Sequence, residues 1–313
     1  MKNKWIPTTL MVFLLFLAGQ ASQQAAKQEE AIKPVRPALI SGFEESAVFK
    51  LIVRESEIGR IEYSLTATGN YSRKFILSLA GQKAEYSLTI SSNPRGEWES
   101  MEIVDPTETV TVKRLADVAE FHLKKKGETY SVKLSEGHIL DDNYGPIFDS
   151  LMLRAYDMEK KGVQKFSRYA IPSRMIDVEL EYKGKEVRTV KGQDIPFNRF
   201  LLNVLGIEVQ IWADPEHHIY LMNVPIQQAA FVRDGYEALL TVGAEDPMLS
   251  RPEYEIRRET VMVPMRDGIK LATDLYFPKA EGLKFPVILV RTPYKKDMGE
   301  LTGNYYARRG YVV

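Results

Sequence analysis

The chain has 313 residues, 44% hydrophobic and 27% charged, a globular composition long enough for two domains that each bury a core. Its 42 basic and 42 acidic residues cancel, which removes the charge excess that would point to nucleic acid or to a cationic partner. Without a cysteine it holds no disulfide, no thiolate zinc site and no cysteine nucleophile.

In chain order, Lys2 and Lys4 precede the apolar run "LMVFLLFLA" (Leu10–Ala18), and "GQA" (Gly19–Ala21) follows with small residues where a signal peptidase reads. The run falls short of the roughly 20 residues that span a bilayer, so residues 1–21 read as a cleaved export signal, with an uncleaved anchor as the alternative. No stable membrane span is expected after its removal, and a periplasmic or extracellular location follows. A lipoprotein is excluded because its lipid needs a cysteine. Residues 22–37, "SQQAAKQEEAIKPVRP", have no periodic apolar face and read as a linker.

Residues 38–240 carry short alternating segments rich in Val, Ile, Tyr, Phe and Thr. They run from "AVFKLIVRE", "GRIEYSLTAT", "RKFILSLAG" and "AEYSLTISS" through "ETVTVKRL" and "ETYSVKLS" to "MIDVELEYKG", "FLLNVLGIEVQIWAD" and "IYLMNVPI". Gly, Asn and Pro clusters separate them, as in antiparallel strands with one face buried and one wet. One helix interrupts: "GPIFDSLMLRAYDMEKKG" starts at Pro146, stops at Gly162, and puts Ile147, Leu151, Arg154 or Ala155 and Met158 on one stripe. The expectation is a β-rich antiparallel domain with one helix laid on its sheet. Trp98, Phe148, Phe200 and Trp212 read as its core. Residues 241–253 are polar and form a second linker.

From residue 254 the pattern changes. "YEIRRETVMVPM" and "IKLATDLYFP" flank Asp267-Gly268, a hairpin turn. "PVILVR" is apolar throughout, as in a strand buried on both faces of an α/β sheet. "KKDMGELTGNYYARRG" suits a short helix stopped by Gly310, and "YVV" opens another strand.

The blocks "VMVPMRDGIKLATDLYFP", "FPVILVRTPYKK" and "YYARRGYVV", in that order and spacing, closely resemble the start of the catalytic domain in the cocaine esterase and Xaa-Pro dipeptidyl-peptidase-like serine hydrolases. The resemblance covers Tyr254 to Val313. It implies an α/β-hydrolase fold, a serine on a strand–helix elbow and later Asp and His partners, with no cofactor. No G-x-S-x-G occurs in the sequence, so the nucleophile, acid and base are expected outside it; residues 254–313 read as the truncated first strands of such a domain, inactive alone. One family site residue falls inside: the tyrosine of the "TPY" block, here Tyr294, is implied to donate its hydroxyl to the oxyanion hole.

Other candidates carry bland readings. His122, His138, His217 and His218 lie outside any metal-binding spacing, and adjacent His217 and His218 point apart in extended backbone. Asp141-Asp142 resembles half a calcium site and reads as a solvated loop. Asp267 belongs to its turn, Arg291 and Asp274 are not assigned to catalysis, and Lys124 to Lys126 read as a solvated sheet edge. The leading expectation is an exported serine hydrolase acting on a small peptide, ester or amide. The alternative is an envelope binding or carrier module whose β domain holds an apolar or peptide ligand.

Overall fold

The computed structural model describes residues 43–134, 139–142, 144–171, 174–241, 250–280, 283–292 and 296–313. The signal, the first linker and most of the second linker therefore lie outside the described residues, as do His138 and Tyr294.

Strands dominate. Eight consecutive antiparallel strands open the fold: β1 (Glu45–Val53), β2 (Ser56–Leu65), β3 (Tyr71–Leu79), β4 (Gln82–Ser92), β5 (Trp98–Val104), β6 (Thr109–Leu115), β7 (Val118–Leu123) and β8 (Glu128–Lys133). After β9 (Ile139–Asp141) comes helix α1 (Ile147–Ala155). The strands β10 (Val163–Ala170), β11 (Arg174–Val190), β12 (Gln193–Val204), β13 (Ile207–Ala213), β14 (Ile219–Val224) and β15 (Ala229–Arg233) then lead back to β1. The order is β8 to β1 followed by β15 to β9, so the first and last strands of this meander meet in mid-sheet at the β1–β15 pair. Every pairing is antiparallel except that of β9 with β10.

This sheet curls until its two ends touch. Phe121 on β7 stacks on Tyr130 of β8 and lies 5.3 Å from the ring of Tyr169 on β10, and Tyr130 is hydrogen-bonded to Tyr169. Aromatic contacts close the curl where no ladder does. Helix α1 occupies the concave side. Its residues Ile147 to Leu153 are all buried, so the single apolar stripe expected from sequence is replaced by burial all round. Inward residues of strands across the sheet, among them Phe49, Ile61, Phe75, Leu88, Val112, Phe121, Leu180, Phe200 and Ile211, form one core with Met152 and Leu153.

The helix ends at Ala155, well before Gly162. Tyr156 is extended (ψ 128°) and its hydroxyl reaches the carbonyl of Gly162 at 2.6 Å, while the Asp157 carboxylate accepts the amides of Glu159 and Lys160. Gly162 terminates that later turn (φ 70°), and Met158 lies outside the helix. "MIDVELEYKG" extends into the 17-residue β11, with its irregularity between Tyr182 and Gly184. "FLLNVLGIEVQIWAD" splits into β12 and β13 at Leu205-Gly206. Lys124 to Lys126 sit in the β7–β8 turn instead of on an edge, and two of their amides are capped by the Glu108 carboxylate. The expected wet face is also partly dry. Trp212, Leu221 and Val232 alternate outward, and Leu239, from the 3₁₀ turn Glu237–Thr241, covers them together with Val190 and Phe197.

A second, smaller sheet pairs β16 (Ile256–Pro264) with β17 (Lys270–Pro278) around Asp267-Gly268, with Gly268 at φ 82°. Val313 exchanges both backbone hydrogen bonds with Tyr276 (2.9 and 3.0 Å), and Val312 bridges Val287 in parallel. The spatial order is β16, β17, residues 312–313, then 286–288. A 3₁₀ turn (Lys296–Gly299) and helix α2 (Glu300–Ala307) form the crossover between the last two. The expectation that "PVILVR" is buried on both faces is not met: Val287 is 73% and Leu289 72% exposed. Burial on two faces needs a layer on each side, and among the described residues one hairpin and one helix supply too little surface.

Helix α2 lies against β17 through Gly303, where an added Cβ would stand 2.4 Å from the buried Tyr276 ring. Gly303→Ala is expected to push the helix off the sheet and to cost about 1–3 kcal/mol, measurable as a lower urea midpoint.

Candidate active-site segment

The segment singled out from sequence runs from Thr292 to the 3₁₀ turn at Lys296, and Tyr294 itself lies outside the described residues. Its downstream anchor is well defined. The Asp274 carboxylate, only 3% exposed on β17, accepts hydrogen bonds from Thr260 Oγ1 (2.6 Å) and Arg258 Nη2 (3.0 Å) on β16. It also accepts Lys296 Nζ at 2.9 Å on both oxygens. Burial alone would raise this carboxyl, but the donors from Thr260, Lys296 and Arg258 outweigh it and hold it at about 2. Arg258 extends the network to Asp297 (3.7 Å) and Glu300 (3.5 Å). One carboxylate therefore ties both strands of the hairpin to the chain two residues beyond position 294.

Asp267 does what its turn requires, with its side chain accepting the Ile269 amide at 3.0 Å. Arg291 is exposed and forms no ion pair among the described residues. Asp274, left unassigned from sequence, is the organising charge of the segment.

The other candidates disperse. His122 is exposed, 3.0 Å from Thr129 Oγ1. His217 sits at φ 72°, and burial, helped by Arg154, lowers its pKa. His218 stacks on Phe43, and its Nδ1 lies 2.9 Å from Asp214. Asp214, Glu216 and His218 bring three potential ligand atoms within 4.8 Å, a grouping that pairing His217 with His218 missed. Hydrogen bonds account for it, since the Asp214 side chain accepts the amides of Glu216 (3.0 Å) and His218 (2.8 Å) as an Asx turn does.

Asp141 and Asp142 are not a solvated loop. Asp142 is gripped by both terminal nitrogens of Arg73 on β3 (2.7 and 2.6 Å), and the pair is almost fully enclosed. Arg73 also donates to the carbonyl of Tyr144. Arg168 on β10 holds Asp141 and, at 2.8 Å, Asp149 of α1. Alternation hid these residues: arginines at inward positions look like outward ones until the enclosed partner is known.

Two guanidiniums thus face three carboxylates inside the curl. Burial first, then the neighbouring Asp141, raises Asp149 to about 6 against the opposing pull of Arg168. A group whose folded pKa exceeds its unfolded one binds protons more tightly in the fold. Relative to a neutral side chain this group therefore costs nothing below about pH 4, and its cost grows as pH rises towards 6 and is complete above that. Asp149→Asn should raise stability at pH 7.5 and leave it nearly unchanged at pH 4. Urea titrations at both pH values check this, and the difference from wild type cancels the opposite trend of His217.

Residues 267–313 match the family model described as X-Pro dipeptidyl-peptidase (S15 family). A stretch of 36 residues is 67% identical to the cocaine esterase of Rhodococcus sp. (strain MB1 Bresler); it covers 12% of this chain and 6% of the esterase. The chain thus spans a small fraction of the length of the curated relative it matches. No solved structure matches. Residues 267–313, which begin in the β16–β17 turn, are thus similar to X-Pro dipeptidyl-peptidases, and a 36-residue stretch is similar to a cocaine esterase, a resemblance to hydrolases of the peptidase or esterase kind.

Proposed function

We propose that this chain is the N-terminal part of an exported serine hydrolase of the peptidase or esterase kind. Residues 254–313 would begin its catalytic sheet, and Tyr294 would serve as an oxyanion donor. The observation that carries the reading is the coincidence of the family match at residues 267–313 with a parallel β–α–β unit next to a hairpin. That arrangement is how an open α/β sheet begins, and such sheets place ligands beyond the carboxyl ends of their strands. Thr292 leads out of that end towards Tyr294.

The chemistry would be acyl transfer. A serine activated by a histidine–aspartate pair attacks the carbonyl, and negative charge develops on the carbonyl oxygen. A phenol hydroxyl fixed near that oxygen stabilises the charge more than it stabilises the neutral substrate. Since no G-x-S-x-G occurs among these residues, the serine, histidine and aspartate belong to another segment on this reading. The substrate class is a small peptide, ester or amide. Export through residues 1–21 agrees with the absence of cysteine.

The test is turnover of p-nitrophenyl acetate and of Xaa-Pro-p-nitroanilide by the polypeptide isolated from its source. Hydrolysis of either, abolished by a fluorophosphonate, supports the reading. Inert behaviour towards both substrates and the inhibitor removes it.

A further inference from the structure

We propose that the β1–β2 turn is a docking key through which the large curled sheet holds helix α2 of the C-terminal unit. The argument begins with turn chemistry. Among the described residues, four hairpins of the sheet have two-residue connections with both residues at positive φ, as type I′ turns require. In three of them the second residue is glycine: Ala80-Gly81, Lys191-Gly192 and Leu205-Gly206. The fourth is Arg54-Glu55, at φ 48° and 64°. A glutamate therefore stands at the one position in the turn where its neighbours all use the residue without a Cβ.

What Glu55 gains lies outside the hairpin. Its carboxylate pairs with Arg309, just past the end of α2. The Arg309 side chain is only 9% exposed, stacks 3.7 Å over the Tyr305 ring centroid, and donates to the carbonyl of Ser250 at 2.9 Å. Arg54 donates to Thr302 of the same helix and to Gln228 Oε1 at 3.1 Å, and its amide bonds the Gln228 carbonyl at 2.9 Å. Gln228 is itself at φ 50°, so the platform consists of two left-handed turns braced together. Leu301 completes the contact by packing against the core of the large sheet.

Leu301, Thr302 and Tyr305 share one helical face by their spacing, and Arg309 continues it. A turn optimised for its own hairpin would carry glycine second; this one carries a side chain whose partner is on α2. Residues that break a local rule mark positions where another requirement wins. Here that requirement is a fixed placement of α2 on the sheet, and it is independent of the chemistry proposed above.

Glu55→Gly separates the two roles, because glycine suits the turn and removes the key. By hydrogen exchange on the intact protein, β1 and β2 should keep or gain protection, while residues 300–307 exchange roughly fivefold faster. Arg309→Ala should also loosen α2, and adding Glu55→Gly to it should change nothing further. Unaltered α2 exchange in Glu55→Gly would overturn the proposal, as would full additivity in the double variant. Loss of protection in β1 and β2 would overturn it too, because it would assign Glu55 to the hairpin.

Discussion

On the proposed function, Tyr294→Phe should lower turnover by roughly 10²–10³-fold in the polypeptide that carries the complete site, with little change in its unfolding midpoint. The loss expected is that of one oxyanion donor. Phenylalanine keeps the ring and removes only the hydroxyl, so whatever packing the ring makes survives. The expected signature is a fall in kcat with KM nearly constant, since the donor is asked to act where charge develops and not on the neutral carbonyl. Lys296, two residues downstream, is held by a carboxylate that stays ionised down to about pH 2. Steady-state kinetics of the wild type and of Tyr294→Phe over a range of substrate concentrations is the check. Unchanged kcat would take Tyr294 out of the mechanism.

The second large effect concerns stability. Asp142→Ala should destabilise the large sheet by about 3–5 kcal/mol, because it strands the Arg73 guanidinium in the interior with, among the described residues, only the Tyr144 carbonyl as acceptor. The ion pair is not thereby worth that much. Desolvating both ions costs about what their attraction returns, so replacing both with apolar residues, Arg73→Met with Asp142→Leu, should recover most of the loss. Urea denaturation of the two single variants and the double variant measures both halves of the claim. A double variant as unstable as Asp142→Ala would mean that the pair does more than compensate itself, for example by fixing the chain that enters α1.

How far the sequence could be read depended on whether the deciding interaction was local. The strands were legible because alternation and X-Gly turns are local, and the Asp267-Gly268 hairpin fixed its own register. That register places Thr260 directly opposite Asp274, so half of the Asp274 network was already implied. Lys296 was not implied, because its approach depends on where the crossover lands. "VAEFHL" (β7) alternates regularly, with His122 on its exposed side, whereas "VQKFSRYA" (β10) was hidden because an arginine at an inward position interrupts the apolar alternation. In β10 that arginine, Arg168, points inward to carboxylates on β9 and α1. The single helix was visible, yet its length and its burial all round were set by a sheet that closes over it, a long-range outcome. The Arg54-Glu55 turn was hidden for the opposite reason: turn rules do not expect glutamate there, and its partner is 254 positions away.

The central claim is acyl-enzyme chemistry in a chain whose C-terminal segment resembles X-Pro dipeptidyl-peptidases and cocaine esterase. Mass spectrometry after fluorophosphonate treatment of the polypeptide isolated from its source tests it most directly. The account predicts a single phosphonyl adduct on a serine within a G-x-S-x-G segment, formed in step with loss of esterase or peptidase turnover. A polypeptide that carries no such adduct, and that turns over neither ester nor Xaa-Pro amide, would contradict it.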